Sequence, residues 1–153
     1  MKYKAEHDDA LKKGIGHPQN AESGCGIFNE PEAVYLVSRV RDGLDFDEFQ
    51  TLRQMLELTE ERLAALLGMS RATLHRRKKS GHLDRAESDR LVRYARLFAR
   101  AVNVLGGNEA AGRWLREPAF AFHGECPLDY ADTEIGAREV EALLGRIEHG
   151  VFS

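Results

Sequence analysis

Apolar residues recur at three- and four-residue steps along most of the chain, the spacing of helices that bury one face. A first run, following Pro31, covers residues 33–40 and stops near Gly43, and a second covers residues 46–58. No stretch shows the strict alternation of a half-buried strand, and no internal repeat is present. The pattern therefore predicts an all-α protein.

The second half of the chain continues the helical pattern. A long helix is predicted over residues 84–105, with four arginines lying largely away from its apolar face. Gly106 and Gly107 end it, because glycine readily adopts the left-handed conformation of a C-terminal cap. Helical spacing resumes from Asn108 to Arg116. A loop of turn-forming residues then precedes a last predicted helix at about 136–149.

Residues 1–26 lack sustained periodicity and collect Gly, Pro, Asn and Ser, which predicts a flexible arm. The chain is thus divided into three segments. The arm occupies residues 1–26, a helical module with a long linking helix occupies residues 27–105, and a small helical domain occupies residues 106–153.

The segment 59–80 has the spacing of a helix-turn-helix. Thr59 and Ser70 are placed to cap two consecutive helices. Ala64 is small where the helices must approach closely, and Gly68 supplies the turn. Leu74 then anchors the second helix inward. This spacing predicts two short helices that cross through a tight turn.

The second helix of this motif carries a basic face that suits the DNA major groove, where N-terminal residues reach base edges. Arg71 or Arg76 suits the guanine O6 and N7 atoms, whereas residues 77–79 suit phosphates. The predicted DNA-binding residues are Ser70, Arg71, Ala72, His75, Arg76, Arg77, Lys78 and Lys79. The alternative is a structural helix pair with a solvated basic face.

Charge is segregated along the chain beneath a net charge of −3. Residues 71–100 contain ten Lys and Arg against three Asp and Glu, whereas residues 106–153 contain four against nine. A basic middle and an acidic end predict two different partners, although each also suits a solvated helix face.

Other function classes find little support. No run approaches the roughly 18 apolar residues of a membrane span, and the N-terminus lacks the apolar core of a secretory signal. We therefore expect a cytoplasmic protein without a membrane partner, in which Cys25 and Cys126 are reduced. His123 and Cys126 have metal-ligand spacing, but no second pair completes a zinc site. No phosphate loop or nucleophile elbow is present, so we expect no enzyme, metal or cofactor.

The C-terminal segment resembles the toxin-binding domain shared by the Xre, MbcA and ParS antitoxins. The matching residues are Trp114, Leu115, Pro118, Gly124, Pro127, Asp129, Thr133, Gly136, Val140, Leu144, Ile147 and Gly150. The preceding module is similar to that of the Xre antitoxins at residues 73–77, Gly81, Leu83, Glu87, Ser88 and Arg90. The resemblance covers roughly residues 30–153. Phe122 departs from it, because leucine is more usual there.

This resemblance implies a helix-turn-helix module followed by a small toxin-binding and dimerisation domain. It implies a cognate toxin of the RES type, an NAD-degrading protein, whose active site the antitoxin obstructs. It also implies a homodimer that binds double-stranded operator DNA and represses its own operon. A solitary helix-turn-helix regulator, with a C-terminal half that only dimerises, is the alternative.

Several residues of the C-terminal segment are candidates for contact with a toxin. Trp114 is expected in the domain's own core, whereas Phe120 and Phe122 suit either core or interface. Because a diphosphate pocket should be basic, acidic and apolar groups near the final helix are expected to enter the NAD pocket. The candidates for contact with the toxin are Phe120, Phe122, Arg138, Glu141, Arg146, Glu148, Val151 and Phe152, with the two arginines as partners that orient the acids.

Overall fold

The computed structural model describes residues 33–150. The predicted arm at 1–26, Cys25, Val151 and Phe152 lie outside these described residues. The helices, in chain order, are α1 (Ala33–Asp42), α2 (Phe46–Met55), α3 (Glu60–Leu66), α4 (Arg71–Ser80), α5 (Arg85–Leu105), α6 (Asn108–Arg116), α7 (Pro127–Tyr130) and α8 (Glu134–Glu148), with a 3₁₀ turn at Phe120–Phe122. Within residues 33–150 no strand is present, which confirms the all-α prediction.

Two predicted helix boundaries differ from the observed ones. The second helix ends at Met55 rather than near residue 58, and Glu57 has a positive φ of 53°, which breaks helical geometry. The last helix begins at Glu134, because the Thr133 hydroxyl accepts a hydrogen bond from the Gly136 amide at 3.1 Å. The loop predicted before it also contains the 3₁₀ turn and α7, whose first residue is Pro127.

Helix α5 is the centre of the fold. It packs against α8, α6 and α1, and its residues Leu91, Tyr94 and Leu97 are fully buried. One continuous apolar core joins the residues of α2–α4 to those of α6–α8. Both halves of the described chain are therefore held on one scaffold.

Close backbone approaches fix both ends of this scaffold. A Cβ atom on Gly136 would lie 1.8 Å from the Tyr130 carbonyl oxygen, so only glycine allows α8 to start against α7. A Cβ atom on Gly43 would lie 2.3 Å from the Leu83 carbonyl oxygen. None of the helices within residues 33–150 is both long and apolar enough to cross a membrane.

Candidate nucleic-acid and protein interfaces

Helices α3 and α4 form the predicted helix-turn-helix. The Thr59 hydroxyl accepts a hydrogen bond from the Arg62 amide at 3.1 Å, and the Ser70 hydroxyl accepts one from the Thr73 amide at 3.2 Å. Gly68 has a φ of 75°, and the Met69 amide donates to the Ala64 carbonyl at 2.8 Å. Caps and turn therefore lie where the residue spacing predicts them.

The outer face of α4 presents most of the predicted DNA-binding residues. The exposed members of this set are Ser70, Arg71, Ala72, His75, Arg76, Lys78 and Lys79. Arg76 donates to the Thr73 hydroxyl at 3.2 Å, but neither Arg71, Arg76 nor Lys79 has a carboxylate partner within residues 33–150. Their positive charge is therefore available to an external anion.

Arg77 differs from its neighbours in α4. Its Nε lies 2.8 Å from Glu87 Oε2, and its Nη2 lies 3.2 Å from Asp84 Oδ2. Glu87 is 5% exposed, and its hydrogen bond raises the pKa of Arg77 above the ordinary arginine value. The phosphate contact expected of Arg77 stays a prediction, and two carboxylates of the fold already compensate its charge. Arg77 fastens α4 to the start of α5.

Lys78 is intermediate between these two cases. Its ammonium group lies 2.9 Å from Glu60 Oε2 and links α4 to α3. Hydrogen bonds from Lys78 and Gln50 lower the pKa of the Glu60 carboxyl below its usual range. Because the Lys78 side chain is 56% exposed, it still reaches solvent on the α4 face.

The two aromatic candidates of the C-terminal domain point in opposite directions. Phe122 is 2% exposed and stacks on Tyr130 with a ring-centroid distance of 4.7 Å. Of the two roles expected for Phe122, core or interface, its ring takes the core role in the described chain. Phe120 is completely exposed on the same 3₁₀ turn. Hydrogen bonds from the Gly124 amide to the Ala119 carbonyl, 3.1 Å, and from the Ala119 amide to the Glu125 carbonyl, 3.0 Å, close that turn.

The charged candidates on α8 are mostly paired. Glu141 lies 3.6 Å from Arg96 and Glu148 lies 2.5 Å from Arg100, so two acidic groups of α8 are held by arginines of α5. Arg138 pairs with Glu134 at 3.4 Å. Arg146 is exposed and has no carboxylate partner within the described residues.

Ile135 is an exposed apolar residue that the sequence pattern did not single out, with 77% of its surface accessible. Its position in the helical repeat could have indicated this exposure, because Ile135 lies off the apolar face that buries Ala137, Val140 and Leu144. Ile135 adjoins Gly136, which packs on Tyr130, and Phe120 lies two residues from Phe122, which stacks on Tyr130. Each exposed residue is therefore close in the chain to a residue that packs on Tyr130. Trp114 is half-buried against the core, in agreement with its predicted packing role.

The region around Cys126 is structural rather than ligating. The Cys126 thiol donates to the Arg116 carbonyl at 2.9 Å, and burial raises the pKa of that thiol. His123 is exposed and has a φ of 55° at the end of the 3₁₀ turn. In the part of the chain that the structure describes, no three His, Cys, Asp or Glu residues are gathered as a metal site would require.

Polar contacts join the helix-turn-helix directly to the C-terminal helices. Arg62 of α3 pairs with Asp129 of α7, and Arg93 of α5 donates to the Asp132 carbonyl at 3.0 Å. Together with the shared core, these contacts join the two halves of the described chain.

Comparisons with known proteins find two family matches along the chain. Residues 36–96 match the family described as the antitoxin Xre-like helix-turn-helix domain, and residues 100–150 match the antitoxin Xre/MbcA/ParS C-terminal toxin-binding domain. The chain is 32% identical to an antitoxin Xre of Yersinia enterocolitica over 144 residues, covering 90% of this chain and 97% of the relative. It is 30% identical to an antitoxin Xre of Photorhabdus laumondii, covering 94% and 90%. A third antitoxin Xre, from Pseudomonas putida, is 41% identical over 64 residues, covering 42% and 40%.

Proposed function

The chain belongs to the Xre family of antitoxins, and on that premise we propose that it neutralises a RES-type, NAD-degrading toxin and represses its own operon. Neutralisation occurs by direct binding that obstructs the active site of the toxin. Repression occurs by binding of the α4 face to operator DNA. The observation that carries the proposal is the union, on one core, of a helix-turn-helix bearing unpaired cations and a domain of the toxin-binding family.

Phe120 is the central proposed contact with the toxin. Interface hot spots are enriched in aromatic side chains that fill a pocket of the partner. Phe120 is fully exposed, and the hydrogen-bonded turn that carries it is closed by the left-handed residues His123 and Gly124. A side chain held in this way loses little further backbone freedom on binding, which favours tight association.

The charged residues of α8 contribute a second part of the proposed toxin surface. Glu141 and Glu148 keep 36% and 39% of their side chains exposed while paired with α5 arginines. Their outer oxygens are accessible to a basic pocket, and Arg138 and Arg146 lie on the same helix. Val151 and Phe152 follow directly and are proposed to enter the active site of the toxin.

Co-expression with the toxin encoded beside the gene tests neutralisation. Cells that produce the toxin alone should lose NAD, and cells that also produce this chain should retain it. A chain that lacks residues 151–153 should protect NAD only in part, although it should still fold and co-purify with the toxin. A solitary regulator would neither co-purify with that toxin nor preserve NAD, and this result would contradict the proposal.

Operator binding is tested by footprinting on the DNA upstream of the gene. One module buries under about 1,000 Å² on DNA, so a homodimer on two half-sites about one helical turn apart is expected. Protection should therefore appear as two blocks separated by that spacing. A single short protected block would contradict the dimeric arrangement, and no protection would contradict operator binding.

A further inference from the structure

Cations without an acidic partner are unevenly distributed over the described chain. Most arginines pair with a carboxylate, and Arg53 and Arg90 donate to the carbonyls of Leu58 and Leu67. Within residues 33–150 the remaining cations are Arg41, Arg71, Arg76, Lys79, Arg85 and Arg146. Three of these lie on α4, and Arg146 lies on α8. The other two, Arg41 and Arg85, belong to helices that flank the end of α4.

Backbone contacts place Arg41 and Arg85 beside each other. Arg41 comes two residues before Gly43, and Arg85 comes two residues after Leu83. Gly43 packs on the Leu83 carbonyl, and the Leu83 amide donates to the Leu44 carbonyl at 2.9 Å. Both arginines line one groove of about 660 Å³ between α1 and α5.

The same contacts join this groove to the helix-turn-helix. The Phe46 amide donates to the Gly81 carbonyl at 2.8 Å, and Gly81 is the C-terminal cap of α4. The helices that carry the two arginines therefore meet the chain close to the C-terminal end of α4. Because α4 would direct its N-terminal end at base edges, its C-terminal end lies toward the sugar–phosphate backbone.

We propose that Arg41 and Arg85 form a phosphate-binding pair that grips the DNA backbone beyond the bases contacted by α4. This inference rests on the proposed operator binding and extends its surface onto α1 and α5. Asp89 also lines the groove, and Arg96 at its far end is paired with Glu141, so anion binding is confined to the rim formed by the two arginines. Phosphate contacts carry no sequence information, so the pair raises affinity for every duplex equally.

The salt dependence of DNA binding tests the pair. Each phosphate contact contributes about 0.9 to the slope of log K against log salt concentration. The variant Arg41→Gln/Arg85→Gln should therefore lower the slope by about 1.8 per protomer and weaken binding roughly 60-fold at 0.1 M salt. The probes are the upstream operator duplex and a mixed-sequence duplex of equal length, titrated by fluorescence anisotropy. The ratio of the two affinities should remain unchanged.

Two further variants complete the test. Arg113→Gln/Arg116→Gln removes the same charge from arginines that are already paired with Glu109 and Glu57, and it should leave the slope near that of the wild type. Arg41→Lys/Arg85→Lys keeps the charge and should restore most of the slope. An unchanged slope in the Gln variant, with wild-type DNA binding intact, would overturn the phosphate pair and leave operator binding standing. A Gln variant that altered only the sedimentation of the protein would instead assign the groove to a second copy. Absence of any duplex binding by the wild type would overturn both proposals.

Discussion

The two candidate surfaces of this molecule handle charge in opposite ways. On α4, Arg71, Arg76 and Lys79 stand without acidic partners in the described chain. On α8, Glu134, Glu141 and Glu148 are each held by an arginine of α5, whereas Arg146 is exposed without an acidic partner among the described residues. The α4 surface therefore offers mainly uncompensated positive charge, whereas the C-terminal domain also exposes the apolar side chains of Phe120 and Ile135.

This difference indicates two physical routes to binding on one scaffold. Free cations gain affinity from counterions that leave the nucleic acid, a contribution that falls as salt concentration rises. Exposed aromatic and aliphatic side chains gain affinity from area removed from water, which salt weakens little. Three of the acidic residues of the C-terminal segment, Glu134, Glu141 and Glu148, are used inside the protein, where they hold α8 against α5.

The largest expected effect is the contrast in salt dependence itself. With Arg41, Lys79, Arg85 and one of Arg71 and Arg76 at phosphates, the slope should approach about −3.6 per protomer. Raising KCl from about 50 to 500 mM should then weaken the contribution of each protomer to duplex binding roughly 4,000-fold. Toxin binding should weaken less over that range, because its central contact at Phe120 is apolar and only the proposed contacts of Glu141 and Glu148 with a basic pocket are screened. Equal salt slopes for the two partners, measured by one method, would break the comparison.

Truncation of Phe120 should have the second-largest effect, because it should weaken toxin binding and leave DNA binding unchanged. Loss of a central aromatic anchor typically costs about 2–4 kcal/mol, so Phe120→Ala should weaken toxin binding roughly 30- to 1,000-fold. Titration calorimetry with the toxin measures the loss, and the affinity for operator DNA should not change. Tyr35→Ala is the matched control, because that aromatic is 60% exposed but lies on α1. Equal losses in both variants would remove Phe120 as the anchor.

The sequence predicts α3, α4 and α5 closely because their ends are set by local chemistry. Thr59 and Ser70 cap the helices that follow them, and Gly106 ends α5 in the left-handed conformation. The pairing of Arg77 was not predictable in this way, because its partner Glu87 lies ten residues away in another helix. A basic run does not show which of its members the fold neutralises.

The sequence pattern also could not predict which way the aromatic side chains of the 3₁₀ turn point. Phe120 and Phe122 have the same side chain at neighbouring positions, and local chemistry does not distinguish them. Tyr130 packs on one of these rings and leaves the other exposed. The direction of each ring therefore depends on tertiary packing, as does the exposure of Ile135.

Base reading by α4 should show a smaller and more selective effect. A bidentate contact with guanine is worth about 1–3 kcal/mol of discrimination, so Arg71→Gln or Arg76→Gln should lower the operator-to-random affinity ratio roughly 5- to 150-fold. The arginine that contacts a base lowers this ratio, whereas Lys79→Gln should weaken both duplexes alike. Competition binding with the two duplexes measures the ratio. If neither arginine variant changes the ratio, α4 contributes affinity without specificity.

The smallest expected effect concerns Glu60, where the fold and the DNA surface compete for Lys78. The hydrogen bond from Lys78 lowers the pKa of Glu60 in the folded state, so the stabilisation is present at neutral pH and is lost as pH falls through that lowered value. Glu60→Gln should therefore lower the free energy of unfolding by less than about 1 kcal/mol at pH 7, with the difference from wild type vanishing in acid. The same substitution releases an exposed cation on the α4 face and removes an acid beside it. Duplex affinity should consequently rise severalfold at low salt while thermal stability falls slightly, and Lys78→Gln should lower both. A parallel loss of DNA affinity in the two variants would show that Lys78 serves only the fold.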